Sequence, residues 1–268
     1  MKLTKFIFIG LTGLLFSCSS SDDSNNGSNN NSTPFALSLE IGNYWNYDVT
    51  DSSGNTFRDS LFISKDTLIN GINYKKFETD GIPAGFYSST LNNNGVRKDG
   101  NKLLITGDFS VNAGTGVPVN LDLSVVDFVI FDADASNNQM LNSQPQTGNI
   151  QQTVQGVLLD IDYELNTYGG ETLATYDVNG ITYSNVKTSK VKVTMTIGAS
   201  YQGVQISNNI LTNNEVLVAT QYVAENIGVI YNDTQINVNL NAQIATLMGT
   251  PQNTSQQQNE KLDTYSTN

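Results

Sequence analysis

The chain has 268 residues with 25 acidic and 13 basic side chains, one cysteine and no histidine, giving a net charge of −12 at pH 7. So acidic a surface excludes nucleic acid as a partner, because phosphate binding needs clustered Lys and Arg. Without histidine neither a Ser-His-Asp nor a Cys-His pair can be built and zinc loses a preferred ligand, which leaves carboxylate, Lys, Tyr or Ser-Lys chemistry.

At the N-terminus Lys2 and Lys5 precede an apolar run from Phe6 to Phe16, and the small residue Ser17 stands before Cys18. The run falls short of the roughly twenty apolar residues that a bilayer-spanning helix needs. Residues 1–17 therefore read as an export signal peptide. The stretch Leu14 to Cys18 resembles a bacterial lipoprotein signal, which implies that Cys18 carries the lipid. With that thiol consumed, the domain is expected to fold without a disulfide even in an oxidising compartment. Residues 18–34 are the lipidated Cys18 followed, from Ser19 to Pro34, by Ser, Asp, Asn, Gly and Thr with no apolar side chain before Pro34, a composition expected to form a disordered tether. Asp22-Asp23 resembles the acidic export signal of Bacteroidota-type surface lipoproteins. That resemblance implies an outer-membrane, cell-surface location, with the periplasm-facing leaflet as the alternative.

A β-rich domain is expected over 35–248. Its first strand contains Tyr44-Trp45-Asn46-Tyr47, with Trp45 and Tyr47 on one face as core residues or as ligand contacts. Asp59-Ser60-Leu61 and Asp66-Thr67-Leu68 resemble O-glycan acceptor sites of the same bacteria, which marks Ser60 and Thr67 as candidates. Asn70-Gly71 supplies the positive φ angles of a tight hairpin turn. Val117, Val119, Leu121, Leu123 and Val125 alternate with other residues as in a half-buried strand, and Phe128 to Phe131 reads as buried on both faces. Asp132, Asp134 and Ser136 then place oxygens at the alternating positions that calcium favours, although Asn137 and Ser143 stand where an EF-hand would have Gly and Glu. Calcium at this loop is weighed against a plain acidic turn.

Further along, Asp160, Asp162 and Glu164 alternate with Leu159, Ile161, Tyr163 and Leu165, so one strand face carries three carboxylates about 7 Å apart. They read as a solvated face, with a glycosidase pair as the alternative. Asn179-Gly180 repeats the hairpin signal, Val191, Val193, Met195 and Ile197 alternate with polar residues, and so do Ile236, Val238 and Leu240. Helical periodicity is confined to a short turn near Ala242 to Leu247, and residues 249–268, rich in Gln, Asn and Thr, read as a disordered polar tail.

Short turn-bounded strands without crossover helices predict a mainly β fold, an antiparallel curved sheet or half-barrel. Ile69 to Thr79 aligns without gaps to Val178 to Thr188, which suggests two duplicated halves; shared hairpin chemistry is the simpler alternative. The Gly42 to Tyr47 segment, the 178–183 hairpin, and Tyr222-Val223-Ala224 leading to Ile227-Gly228-Val229 look like markers of a set of Bacteroidota-type exported lipoproteins. The resemblance implies a β-rich exported lipoprotein, and no reaction or ligand comes with it. The expectation is a non-enzymatic outer-membrane lipoprotein, membrane-bound through its lipid anchor, that carries a hydrophobic ligand such as a lipid on a concave sheet. The alternatives are a structural or glycan-interacting surface module and, third, a carboxylate-dependent carbohydrate enzyme.

Overall fold

A computed structural model of the protein describes residues 35, 37–112 and 120–268. The signal segment 1–17, Cys18, the tether, Val117 and Val119 lie outside the described residues. The elements, in chain order, are β1 (Tyr44–Asp51), β2 (Thr56–Ile69), β3 (Ile72–Thr79), α1 (Phe86–Leu91), β4 (Gly95–Asp99), β5 (Lys102–Asn112), β6 (Asn120–Asp132), β7 (Gln146–Val154), β8 (Val157–Val178), β9 (Ile181–Tyr201), β10 (Val204–Ser207), β11 (Glu215–Ala224), β12 (Gly228–Asn239), α2 (Ala242–Met248) and β13 (Asn253–Ser266).

The strands form one antiparallel sheet in the order β6-β5-β4-β3-β2-β1-β13-β12-β11-β9-β8-β7, with β10 beside β9. It curls into a half-barrel, the fold class that the strand pattern predicts. At one end of the sheet β6 and the segment after it reach strands near the other end. Ser189 Oγ donates to Ile130 O, Lys187 Nζ donates to Ala133 O, and Leu141 N donates to Thr167 O. The alternating runs behave as expected, with Val191, Val193, Met195 and Ile197 buried in β9 and Leu121, Leu123 and Val125 buried in β6. Phe128 to Phe131 are all buried, since the large core covers one face and Leu104, Val129 and Leu141 cluster on the other.

Both Asn-Gly turns have positive φ at each central residue, 50° and 82° at Asn70-Gly71 and 51° and 81° at Asn179-Gly180, as tight hairpins require. Beyond the turns the two aligned segments diverge. β3 pairs with β4 through Lys75 and Lys76 alone, whereas β9 pairs with β11 from Lys187 to Thr194. The outer part of the β8–β9 hairpin folds back on its neighbours: Tyr176 stacks on Tyr222 with ring centroids 4.4 Å apart, and Asn179 Nδ2 donates to Leu262 O at 3.2 Å.

The expected tail is corrected. Residues 253–266 form β13, which pairs with β1 on one side and β12 on the other in the middle of the sheet, so the domain runs to Ser266 and not to 248. Gln256, Gln258, Glu260 and Leu262 share one face of this strand, and only the last is apolar, so the strand shows no hydrophobic period. α2 matches the expected helical turn, with Asn241 capping Gln243 N and Gly249 ending it at φ 61°. Among the described residues no helix is long and apolar enough to cross a membrane.

Candidate functional site

The concave side of the half-barrel is filled. Trp45 and Tyr47 are 5% and 1% exposed, which corrects their reading as ligand contacts. Trp45 stacks on Phe77 and donates from Nε1 to Ile227 O at 2.6 Å; Tyr47 donates to Val229 O at 2.8 Å and meets Tyr87 edge-on. Their polar tips are satisfied inside the core, so neither ring is offered outward. Helix α1 occupies the remaining space, with Tyr87, Ser88 and Leu91 buried. Two cavities flank it, of about 10 and 30 Å³, both lined by Tyr87, Leu91 and Ile130.

The six residues of α1 have no side-chain cap of their own, and the sheet supplies one. Asp59 of β2 accepts from Ala84 N and Gly85 N at 2.9 and 2.7 Å. Gln258 of β13 accepts from Phe86 N at 2.7 Å and donates to Ala84 O at 2.8 Å. Glu260 accepts from Tyr87 N at 2.7 Å, from Ser88 N and Oγ at 3.0 and 2.9 Å, and from Asn232 Nδ2 at 2.9 Å. The N–H groups from Ala84 to Ser88 are thus all taken by side chains of the sheet. Burial raises the Glu260 carboxyl to about 7, against these hydrogen bonds, which favour the ionised form. Burial, with the Glu260 charge nearby, pushes the Tyr47 and Tyr87 phenols up as well.

Open grooves lie elsewhere, with walls of mixed polar and apolar atoms. One, of about 350 Å³, opens at the mouth beside α1, with Gln256, Ser52, Ser89 and Thr234 around an apolar floor of Phe86 and Ile236. A second, of about 670 Å³, crosses β7, β8 and β9 along Asn149, Asp162, Glu164, Thr194 and Thr196. Glu164 and Thr194 also line a neighbouring basin of about 290 Å³ together with Asn138, Asn166, Tyr168, Lys192 and Glu215.

Of the residues singled out in the sequence, Asp160 and Asp162 are exposed as expected of a solvated face, and Asn149 Nδ2 donates to both, at 3.1 and 2.9 Å. Glu164 joins Asp162 in the outer groove, and Glu215 enters the adjoining basin from β11, where Lys192 Nζ holds it at 2.7 Å. Asp132, Asp134 and Ser136 form a self-bonded turn. Asp132 Oδ1 accepts from Asp134 N, Asp134 accepts from Asn101 Nδ2, and Ser136 Oγ donates to Gln139. Among the described residues no three acidic, Cys or His side chains converge as metal ligands. Ser60 and Thr67 are half-buried within β2; the neighbouring Asp59 holds α1 and Asp66 pairs with Lys75 at 2.7 Å.

Sequence reasoning passed over Glu260, Asp59 and Asn166. The clamp joins residues of β2 and β13 to a helix far away in sequence, and no local pattern announces it. Comparison of the chain with protein-family models, curated proteins and solved structures yields no match.

Proposed function

We propose that this chain is an exported lipoprotein, tethered through Cys18 to the outer membrane and displayed at the cell surface, whose β domain binds glycans and catalyses nothing. The anchor rests on the sequence from Lys2 to Cys18, and surface display on Asp22-Asp23. The observation that carries the binding mode is the contrast between a filled apolar interior and open grooves in which amides, hydroxyls and carboxylates stand beside apolar and aromatic side chains. Cavities of about 10 and 30 Å³ are far below the roughly 300–1,000 Å³ of a ligand pocket, so a hydrophobic cargo would have to displace α1 together with Tyr87 and Leu91. Polyhydroxylated ligands suit the outer grooves, where side-chain amides and carboxylates can exchange hydrogen bonds with sugar hydroxyls. A binding role is preferred to hydrolysis because Glu215, the carboxylate across the basin from Glu164, is engaged by Lys192 and not offered to a substrate.

The test is native mass spectrometry of the protein purified from its own envelope, followed by binding to the polysaccharides of that envelope. Co-purified or re-bound glycan is the expected outcome. Bound lipid without glycan would overturn the proposal in favour of a carrier, and release of sugar products would overturn it in favour of an enzyme.

A further inference from the structure

Two carboxylates are buried beneath α1 with no cation between them. Glu260 of β13 is 0% exposed and Asp59 of β2 is 3% exposed, and neither enters an ion pair among the described residues. Burying a charge without a counter-ion is costly, and a second charge of the same sign nearby adds to the cost. What opposes it is a set of donors. The N–H groups of Ala84 and Gly85 reach Asp59, and those of Tyr87 and Ser88, with Ser88 Oγ, reach Glu260.

The remaining groups that face Glu260 carry no positive charge either. Tyr47 from β1 and Tyr87 from α1 are buried phenols, and Asp59 comes from β2. From β12 comes Asn232, whose Nδ2 donates both to Glu260 Oε2 and to Thr234 Oγ1, at 2.9 Å each, while its Oδ1 has no partner. Turned over, the same amide accepts the proton of a neutral Glu260 and the hydroxyl proton of Thr234. The carboxyl thus has a hydrogen-bonded arrangement in both protonation states.

The mouth groove depends on where this helix sits. Ala84, Phe86 and Ser89 line the 350 Å³ space from the side of α1, and Thr234, Gln256 and Gln258 line it from the sheet. The C-terminal end of α1 is pinned apart from the acids: Asn94 Nδ2 donates to Thr90 O at 2.7 Å, and Asn92 Oδ1 accepts from Thr79 N at 3.1 Å. Its N-terminal end is held by Asp59, Gln258 and Glu260. Packing beneath the helix is incomplete, since the cavities of about 10 and 30 Å³ both border Tyr87 and Leu91.

We propose that Glu260 is a proton-operated latch on α1. With the proton in place the helix stays docked and walls the mouth groove. When the carboxyl gives its proton to solvent, water takes the place of the α1 donors around the two carboxylates, the N-terminal end of the helix swings outward about Asn92 to Asn94, and the groove loses that wall. The docked state binds the proton more tightly than the open one, in which Glu260 is hydrated. The opening equilibrium is therefore expected to rise about tenfold per pH unit between 4.5 and 7 and to level off above, about 300-fold in all. The latch adds regulation to one of the grooves on which the glycan-binding reading rests, and its test needs no glycan, so either can fail alone.

The test is native-state hydrogen exchange of the full chain from pH 4.5 to 8, read as protection relative to the unstructured rate, at urea concentrations below the unfolding transition. The amides of Tyr87 and Ser88 are expected to lose about 300-fold in protection across this range and to respond little to urea, the mark of a local opening. Val193 of β9 is expected to stay better protected at every pH. Glu260→Gln removes the titrating group and is expected to flatten the pH dependence at Tyr87 and Ser88. Should that variant fold poorly, Asp59→Asn decides: without the neighbouring negative charge Glu260 ionises more readily, so the levelling-off moves to lower pH, and an unmoved profile would overturn the latch. Protection at Tyr87 and Ser88 that ignores pH, that keeps its pH dependence in Glu260→Gln, or that matches Val193 in size and urea response would overturn it as well, the last because the helix would then open only with the whole domain.

Discussion

Glu260 sets two large effects against each other, and the structure allows their balance to be worked out. Its carboxyl is 0% exposed and accepts from three backbone or hydroxyl donors of α1 and from Asn232 Nδ2, contacts that favour the ionised form. Desolvation nevertheless prevails and lifts its pKa from 4.5 to about 7. A group whose pKa is higher folded than unfolded contributes stability that is complete below the unfolded value and lost as pH rises through the folded one. For Glu260 the loss therefore falls between about pH 4.5 and 7, and the shift corresponds to roughly 3 kcal/mol. Asn232 Oδ1, which has no partner, can serve the protonated state: if the amide turns over, it accepts the acid proton. In Glu260→Gln the amide oxygen can keep Ser88, and the NH₂ group can donate to a turned Asn232, so the variant forfeits mainly the acceptor for Tyr87 N, about 1–3 kcal/mol. Urea unfolding of both proteins from pH 4 to 8.5 measures the difference in which other titrating groups cancel. The wild type is expected to be the more stable near pH 4.5, and its advantage should shrink by about 3 kcal/mol and reverse by pH 8. A flat difference, or one that grows with pH, would refute the reasoning and show that the four hydrogen bonds outweigh desolvation.

Three further outcomes are expected. Gly85→Ala would place a Cβ 2.1 Å from Glu260 Oε1, so α1 must shift off its clamp; a loss of about 3 kcal/mol, or roughly 6–12 °C in Tm, is expected, and a Tm within 2 °C of wild type would count against the clamp. Tyr176→Ala removes the stack on Tyr222 at 4.4 Å and should cost about 1 kcal/mol while raising amide exchange selectively in residues 172–187; unchanged exchange there would show that the fold-back does not depend on the ring. Gln202 sits at φ 49° before Gly203, in a turn that Asn occupies with less strain, so Gln202→Asn is expected to raise Tm by roughly 1–3 °C, and a fall would contradict the turn assignment.

The same turn shows where the fold was legible. Asn70-Gly71 and Asn179-Gly180 declare their hairpins because Asn and Gly tolerate positive φ, and the structure has both. Gln155-Gly156 and Gln202-Gly203 adopt the same angles, 50° and 79°, and 49° and 79°. Gln carries no such preference, so the backbone there is held by the pairing of β7 with β8 and of β9 with β10 rather than by the residue. Strands with one wet face, such as β9, announced themselves by alternation, whereas Asn166 looked like any polar residue of an exposed face. Its burial comes from the 138–142 segment packing beside β8, a contact made through tertiary structure alone.

β13 and α1, two of the elements that periodicity did not reveal, depend on each other. A helix of six residues starting Phe86-Tyr87-Ser88-Ser89 has too few turns to form alone and no Ser, Thr, Asp or Asn before it to cap its N–H groups. A strand whose inward row reads Gln256, Gln258, Glu260, Leu262 has a single apolar side chain to bury. Each lack is met by the other element, because the inward Gln258 and Glu260 are the acceptors that Phe86, Tyr87 and Ser88 need, across separations of 172 and 173 residues. Local propensity points away from both structures, and only the chain closed on itself satisfies them. It follows that α1 and β13 should be lost together: a chain truncated after Gly249 is expected to lose the helix along with the central strand, leaving β1 and β12 with unpaired edges. Retention of protected α1 amides in that truncation would show that the helix is held by its apolar side chains and not by the polar strand beneath it.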